Sequence, residues 1–212
     1  MMRKIFLLIF LWVALGAWTD LGLNVRSSVG YVTDGTDEVF CGGQSQDAYP
    51  TTRGGATFGW DASYDNGRDR DSGNDRRLAG VAYHANDGNQ SSLRVDLPSA
   101  GTYDFRLAMG DATQAPAYQR VDVYDDSTLL LTVIESDGTA ANSFVDATGA
   151  ELTAANWPSS NASVPLTFST TIAYIKIGST SAESSSTALA HVRFTQAASS
   201  GNLPLLQAIG EE

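Results

Sequence analysis

The chain has 212 residues, 42% of them hydrophobic, with 20 glycines and a formal charge of −11. That length and apolar content supply one sizeable core and are short for two domains. The negative balance excludes nucleic acid and anionic membrane surfaces as partners, because both need clustered positive charge, and leaves calcium, neutral glycans and other proteins.

Residues 1–17, MMRKIFLLIFLWVALGA, join a basic start to an apolar run from Ile5 to Leu15 and end on small residues. This is the pattern of a secretory signal, and the run is shorter than the roughly 20 apolar residues of a spanning helix. Cleavage after Gly16 or Ala17 is expected, with export to an extracellular or periplasmic space and no stable membrane span. The alternative is an uncleaved apolar N-terminus packed into a surface or virion assembly. Loss of Arg3 and Lys4 with the leader takes the charge from −11 to −13 and leaves Lys176 as the one lysine. Cys41 is the single cysteine, so no intrachain disulfide forms, and it is expected to be a small buried hydrophobe.

After an opening segment anchored by Trp18 and Leu21, Gly42–Gly55 reads as a long loop broken at Tyr49-Pro50. Ala56–Trp60 is a short strand, Asp61–Arg77 a polar loop, and Ala79–His84 a strand again. Leu93, Val95 and Leu97 then alternate with Arg94 and Asp96. Beyond Pro98-Ser99-Ala100-Gly101, the residues Tyr103, Phe105, Leu107 and Met109 share one face. Period-two alternation on both sides of a turn predicts an antiparallel hairpin with one buried face. Further strands are predicted at Val121–Tyr124, Leu129–Ile134, Val164–Ser169, Ile172–Ile177 and Leu189–Thr195, separated by turns such as Asp125-Asp126-Ser127 and Asp137-Gly138. Many short strands at near-regular spacing predict an all-β antiparallel sandwich over residues 18–196. Residues 197–212 lose the alternation and read as a C-terminal tail.

The stretch Val95-Asp96-Leu97-Pro98, a small-residue turn, Gly101-Thr102-Tyr103, a strand and Gly110-Asp111 resembles the signature of galactose-binding-like jelly rolls. Upstream, Asp20-Leu21-Gly22, Gly30-Tyr31-Val32-Thr33, Phe58-Gly59-Trp60 and Arg68-Asp69-Arg70 with Asp75 follow in the family's order. Such domains occur as carbohydrate-binding modules and at the N-terminus of rhamnogalacturonan acetylesterases. The resemblance implies a jelly roll with Tyr31, Trp60 and Tyr103 in its core. The related esterases carry their catalytic serine in a separate domain within a Gly-Asp-Ser motif, and here Gly110-Asp111 continues as Ala112, so that nucleophile is absent. One fold serves many functions, so the site must be argued separately.

Sugar binding calls for aromatic faces that stack on a pyranose, flanked by groups that hydrogen-bond hydroxyls. Tyr64, Tyr118 and Trp157 fall in predicted loops and are the aromatic candidates. Arg106 and Asp104, on the outer face of the predicted hairpin, are the polar ones. Asp69, Asp71 and Asp75 surround Gly73 in a spacing partly like a calcium loop, although no glutamate closes it. The interleaved Arg68, Arg70, Arg76 and Arg77 offer the competing role of ion pairing with those carboxylates. His84 and His191 are the two histidines; His191 is expected to point away from the core, and no G-x-S-x-G elbow accompanies either. Asn89 and Asn161 begin glycosylation sequons. The functional expectation is a non-catalytic, secreted carbohydrate-binding module whose partner is a glycan or glycosylated surface. The rival expectation is a structural surface or virion protein that packs against other subunits, and a third is a polysaccharide hydrolase or esterase.

Overall fold

The computed structural model describes residues 18–26, 38–42, 47–61, 66–70, 75–179 and 182–197. In chain order the strands begin with β1 (Asp20–Val25), β2 (Glu38–Cys41), β3 (Thr51–Arg53), β4 (Ala56–Trp60) and β5 (Asn66–Asp69). A 3-10 turn at Arg76–Leu78 precedes β6 (Gly80–Asp87), β7 (Ser91–Asp96), β8 (Gly101–Asp111), β9 (Gln119–Asp125) and β10 (Thr128–Glu135). β11 (Ser143–Val145) and β12 (Glu151–Thr153) follow, then the helix α1 (Trp157–Ser160), β13 (Val164–Phe168), β14 (Ile172–Ile177) and β15 (Ala182–Gln196).

These strands form an all-β antiparallel sandwich of two sheets. The six-stranded sheet runs β10-β9-β14-β7-β4-β3. The nine-stranded sheet has the path β12-β11-β8-β15-β1-β2, with β13 on β8 and with β6 joining β15 to β5. β1 and β2 pair in parallel. Among the described residues no helix is long and apolar enough to cross a membrane.

Alternation along the strands decides what is buried. Leu93 and Val95 of β7, Val121 and Val123 of β9, and Ala173, Ile175 and Ile177 of β14 point inward from one sheet. Tyr103, Phe105, Leu107 and Met109 of β8, with Val192 and Phe194 of β15, meet them from the other. Phe105 and Phe194 sit with ring centres 5.1 Å apart, and Tyr103 packs edge-on to Phe168. Trp60 and Tyr103 are core residues, as expected, whereas Tyr31 lies outside the described residues.

The predicted hairpin is the main correction. β7 and β8 do not pair: β7 lies between β4 and β14, and β8 lies in the opposite sheet beside β15. Alternation specifies which face is buried but not which strand is the neighbour, and here the two apolar faces oppose each other across the sandwich. The crossover is pinned by Leu97 N–H to Thr171 O (2.8 Å), Tyr103 Oη–H to Ser99 O (2.9 Å) and Gln196 Nε2 to Ser99 Oγ (3.0 Å).

Two segments read as loop contain strands. β3 turns back onto β4 through Gly54 and Gly55, both at positive φ (60° and 79°), the combination a two-residue type I′ hairpin requires. β5 pairs with β6 inside the segment expected to be a polar loop. A second, smaller core covers the outer face of the nine-stranded sheet: Leu78, Phe144 and Trp157 close over Ala108, Ala188 and Ala190. Residues 1–17 and 198–212, and with them the expected leader and most of the expected tail, lie outside the described residues.

Candidate functional site

Among the described residues, those singled out from sequence do not share one open face. Tyr64 and Asp71 lie outside the described residues. Tyr118 is half-buried just before β9, next to Arg120. Trp157 is 1% exposed, and its indole N–H donates to Leu107 O at 3.1 Å, so it anchors the second core and offers no stacking face. Its own helix is too short for a sequence pattern to reveal, which is why it read as a loop aromatic. Asp104 and Arg106 are half-buried on the outer face of the nine-stranded sheet. Arg106 Nη1 donates to the Asn161 side chain at 3.2 Å. Asn161 is itself 7% exposed and donates to Trp157 O, so this sequon is built into the fold, whereas Asn89 is exposed in the β6–β7 turn.

Of the suspected calcium-loop carboxylates, Asp69 and Asp75 fall among the described residues. Asp75 receives Arg77 through Nε (2.8 Å) and Nη2 (2.6 Å) and caps the 3-10 turn through Arg77 N–H (2.9 Å). Burial alone would raise its pKa, but those bonds from Arg77 hold it below the usual carboxylate range. Asp69 is half-buried in β5. Arg70 leaves the segment and binds Asp111 through Nε (3.0 Å) and Nη2 (2.7 Å). Among the described residues no group of three or more His, Cys, Asp or Glu is placed to hold a metal ion.

The histidines are both interior. His191 faces away from the main core, as alternation requires, yet it is 1% exposed because Trp157 closes over it with ring centres 5.5 Å apart. Its Nε2 lies 2.8 Å from Glu38 Oε2. Burial would raise the Glu38 pKa, but the hydrogen bond and charge of His191, followed by Arg193, bring it below the ordinary value. His84 Nδ1 meets Ser91 Oγ at 3.0 Å, and Ser91 is fully buried, so this pair ties the two sheets together out of reach of a substrate. Cys41 is buried as expected, and burial pushes its thiol pKa far up.

Among the described residues, a candidate ligand surface lies on the outer face of the six-stranded sheet. Its residues are the outward members of the same alternation that builds the core. β7 turns out Ser92, Arg94 and Asp96, while β14 turns out Tyr174 and Lys176, and β9 turns out Tyr124. Register then sets Gly59, Arg94, Tyr174 and Tyr124 in one row, with Ser92, Lys176 and Asp122 in the next. Lys176 Nζ is 4.2 Å from the centre of the Tyr124 ring, and Arg94 Cζ is 4.1 Å from that of Tyr49.

A cleft of about 420 Å³ opens on this face. Tyr174 and Lys176 line it along β14, with Asp61, Ser92 and Gln90 toward one end and Asp126 and Ser127 at the other. Gln90 is held in place by donating Nε2 to Asp122 Oδ2 (2.7 Å) and Gly178 O (3.0 Å). Burial and the adjacent Asp61 carboxylate push the Tyr174 hydroxyl above its ordinary pKa, so it stays a neutral donor and acceptor at physiological pH. An aromatic ring among short hydroxyls, an ammonium and carboxylates can engage a polyol by stacking and hydrogen bonding together. Sequence reasoning placed Tyr174 and Lys176 on a strand but not at a site, because the cleft exists only once β7, β9 and β14 are side by side.

Comparison with protein-family models and with curated proteins finds no match. The class of protein therefore rests on architecture: an antiparallel β-sandwich with a polar, tyrosine-lined face.

Proposed function

We propose that this chain is a non-catalytic carbohydrate-binding module of the galactose-binding-like jelly-roll type, exported by its N-terminal leader. The observation that carries the reading is the cleft beside Tyr174, where one aromatic side chain sits among Lys176, Asp61, Gln90 and Ser92. The ordered motifs from Asp20 to Asp111 and the two-sheet architecture support the jelly-roll assignment. Glycan-array binding that Tyr174→Ala abolishes is the expected result. A folded protein that binds no glycan on the array, with and without calcium, refutes the reading. Mass spectrometry of the native N-terminus tests export: a start near Trp18 supports it, and an intact Met1 opposes it.

A second reading, subunit packing in a surface or virion assembly, is favoured by β10. This strand forms an edge of the six-stranded sheet and exposes Leu129 (48%) and Ile134 (45%). Apolar side chains on an exposed edge are a surface other chains can cover. Co-purification in a particle, with β10 protected from hydrogen exchange, is the outcome that reading requires.

A further inference from the structure

We infer that the ligand of this cleft is a neutral glycan in extended form, lying along β14 as an internal chain segment and not inserted as a single terminal sugar. The inference rests on the carbohydrate-binding reading and adds the shape and charge of the ligand.

Shape follows from where the two ends of the cleft are fixed. At one end Asp126 N–H donates to Ile172 O at 3.0 Å, which seats the Asp126-Ser127 turn beside the start of β14. At the other, Gln90 Nε2 donates to Gly178 O at 3.0 Å, just past the strand's last residue. Tyr174 and Lys176 lie between, on the outward side. Ile172 to Gly178 is six residue steps, roughly 20 Å at about 3.3 Å per residue. A volume of about 420 Å³ spread over that length is a shallow trough. It accommodates a chain of rings laid end to end and gives a single ring no enclosing socket.

Charge follows from the lining and its surroundings. The lining carries one ammonium, Lys176, against two carboxylates, Asp61 and Asp126. The neighbouring guanidiniums are engaged: Arg94 Nε is 2.9 Å from Asp96, and Arg120 Nε is 2.9 Å from Asp122. A uronate or sulfated chain would meet more negative than positive charge here, on a protein already at −11. A peptide strand is disfavoured for a different reason. β14 is paired on both sides, to β7 and β9, so it has no open edge for a strand to join.

The test is calorimetric titration with neutral gluco-, xylo-, manno- and galacto-oligosaccharides of one to six units, together with oligogalacturonates of the same lengths. For the neutral series that binds, affinity should rise at least tenfold between one unit and five and then level off. Tyr174→Ala should remove binding at every length. Ser127→Trp, which blocks one end on an exposed turn, should weaken the longest oligomers and spare the shortest. Equal affinity for one unit and six overturns the extended geometry while leaving carbohydrate binding intact. Tighter binding of the galacturonates overturns the neutral assignment alone. A folded protein, verified by its melting curve, that binds none of the sugars overturns both this inference and the reading beneath it.

Discussion

The guanidinium carbon of Arg94 lies 4.1 Å from the centre of the Tyr49 ring, and both side chains bind the same carboxylate. Arg94 Nε donates to Asp96 Oδ1 at 2.9 Å, and the Tyr49 hydroxyl donates to Asp96 Oδ2 at 2.8 Å. Burial raises the Tyr49 pKa and the Asp96 carboxylate adds to the shift, so the hydroxyl remains a donor. The triad fastens the segment before β3 to the flank of the tyrosine-lined face.

The triad depends on Gly59. This residue has φ of +151°, and a Cβ there would lie 2.6 Å from Tyr49 N. Gly59→Ala should therefore displace Tyr49 and destabilise the fold by about 1–3 kcal/mol, from backbone strain and overpacking together. Urea denaturation measures the loss. Tyr49→Phe, which removes one hydrogen bond and keeps the ring, should cost only about 0.5–1.5 kcal/mol. Equal costs for the two variants would mean that the close approach at Gly59 is easily relieved.

Trp157 and Tyr174 should respond in opposite ways. Trp157→Ala empties a buried ring site in the second core and should cost about 3–5 kcal/mol, as should Phe105→Ala in the main core. Tyr174→Ala touches the half-buried outer face and should shift stability by only about 0.5 kcal/mol while removing glycan binding. Melting curves set beside binding isotherms separate the two. A Tyr174→Ala protein that unfolds would make Tyr174 a structural residue and take it out of the site.

The ion pairs divide by burial. Asp111 is fully buried and accepts from Arg70, from Thr113 N–H (2.7 Å) and Oγ1 (3.1 Å), and from Gln114 N–H (3.2 Å). Asp111→Ala strands the Arg70 charge and those loop donors, and should cost about 3–5 kcal/mol. Arg94–Asp96 stands at the surface, where a pair contributes about 0–1 kcal/mol. Asp96→Ala losing as much as Asp111→Ala would contradict this ranking.

Much of the fold was legible because alternation survives in the strands. Ile172–Ile177 forms a strand with the predicted bounds, Trp60 and Tyr103 lie in the core as the resemblance implies, and the predicted turn at Asp125-Asp126-Ser127 links β9 to β10. Partner choice was not legible. The runs around Leu93 and Phe105 read as the two arms of one hairpin yet lie in opposite sheets and contribute to the same core, since a local pattern carries no record of which distant strand lies alongside. Gly54-Gly55 is a hairpin signal, but β3 is too short to alternate, so Gly42–Gly55 reads as loop from sequence. His191 points away from the main core as alternation predicts, yet it and the loop candidate Trp157 are both buried, because a second layer covers the outer face of the nine-stranded sheet. The cleft was the least readable feature, since Gln90, Asp126 and Tyr174 come from three segments that meet only in the folded sheet.

Asp125 should govern part of the protein's acid sensitivity. It is 6% exposed and accepts from Ser169 N–H (2.7 Å) and Oγ (2.5 Å) and from Thr170 N–H (3.1 Å) and Oγ1 (2.5 Å). Burial would raise its pKa, but these four bonds outweigh that and bring it down to about 2, from an ordinary 3.8. Between those values the unfolded chain binds the proton and the folded one does not, so stability rises with pH through this window. The contribution is complete above about pH 4 and disappears as pH falls through about 2. Asp125→Asn keeps one acceptor but turns an amide toward donors. It should lose about 1.5–3 kcal/mol at pH 7, the range for hydrogen bonds to a charged group. Urea midpoints at pH 7, 4, 3 and 2 provide the check: the gap between parent and variant should be widest at pH 7 and close toward pH 2. A gap that stays constant down to pH 2 would show that the ionised Asp125 contributes no more than its neutral form.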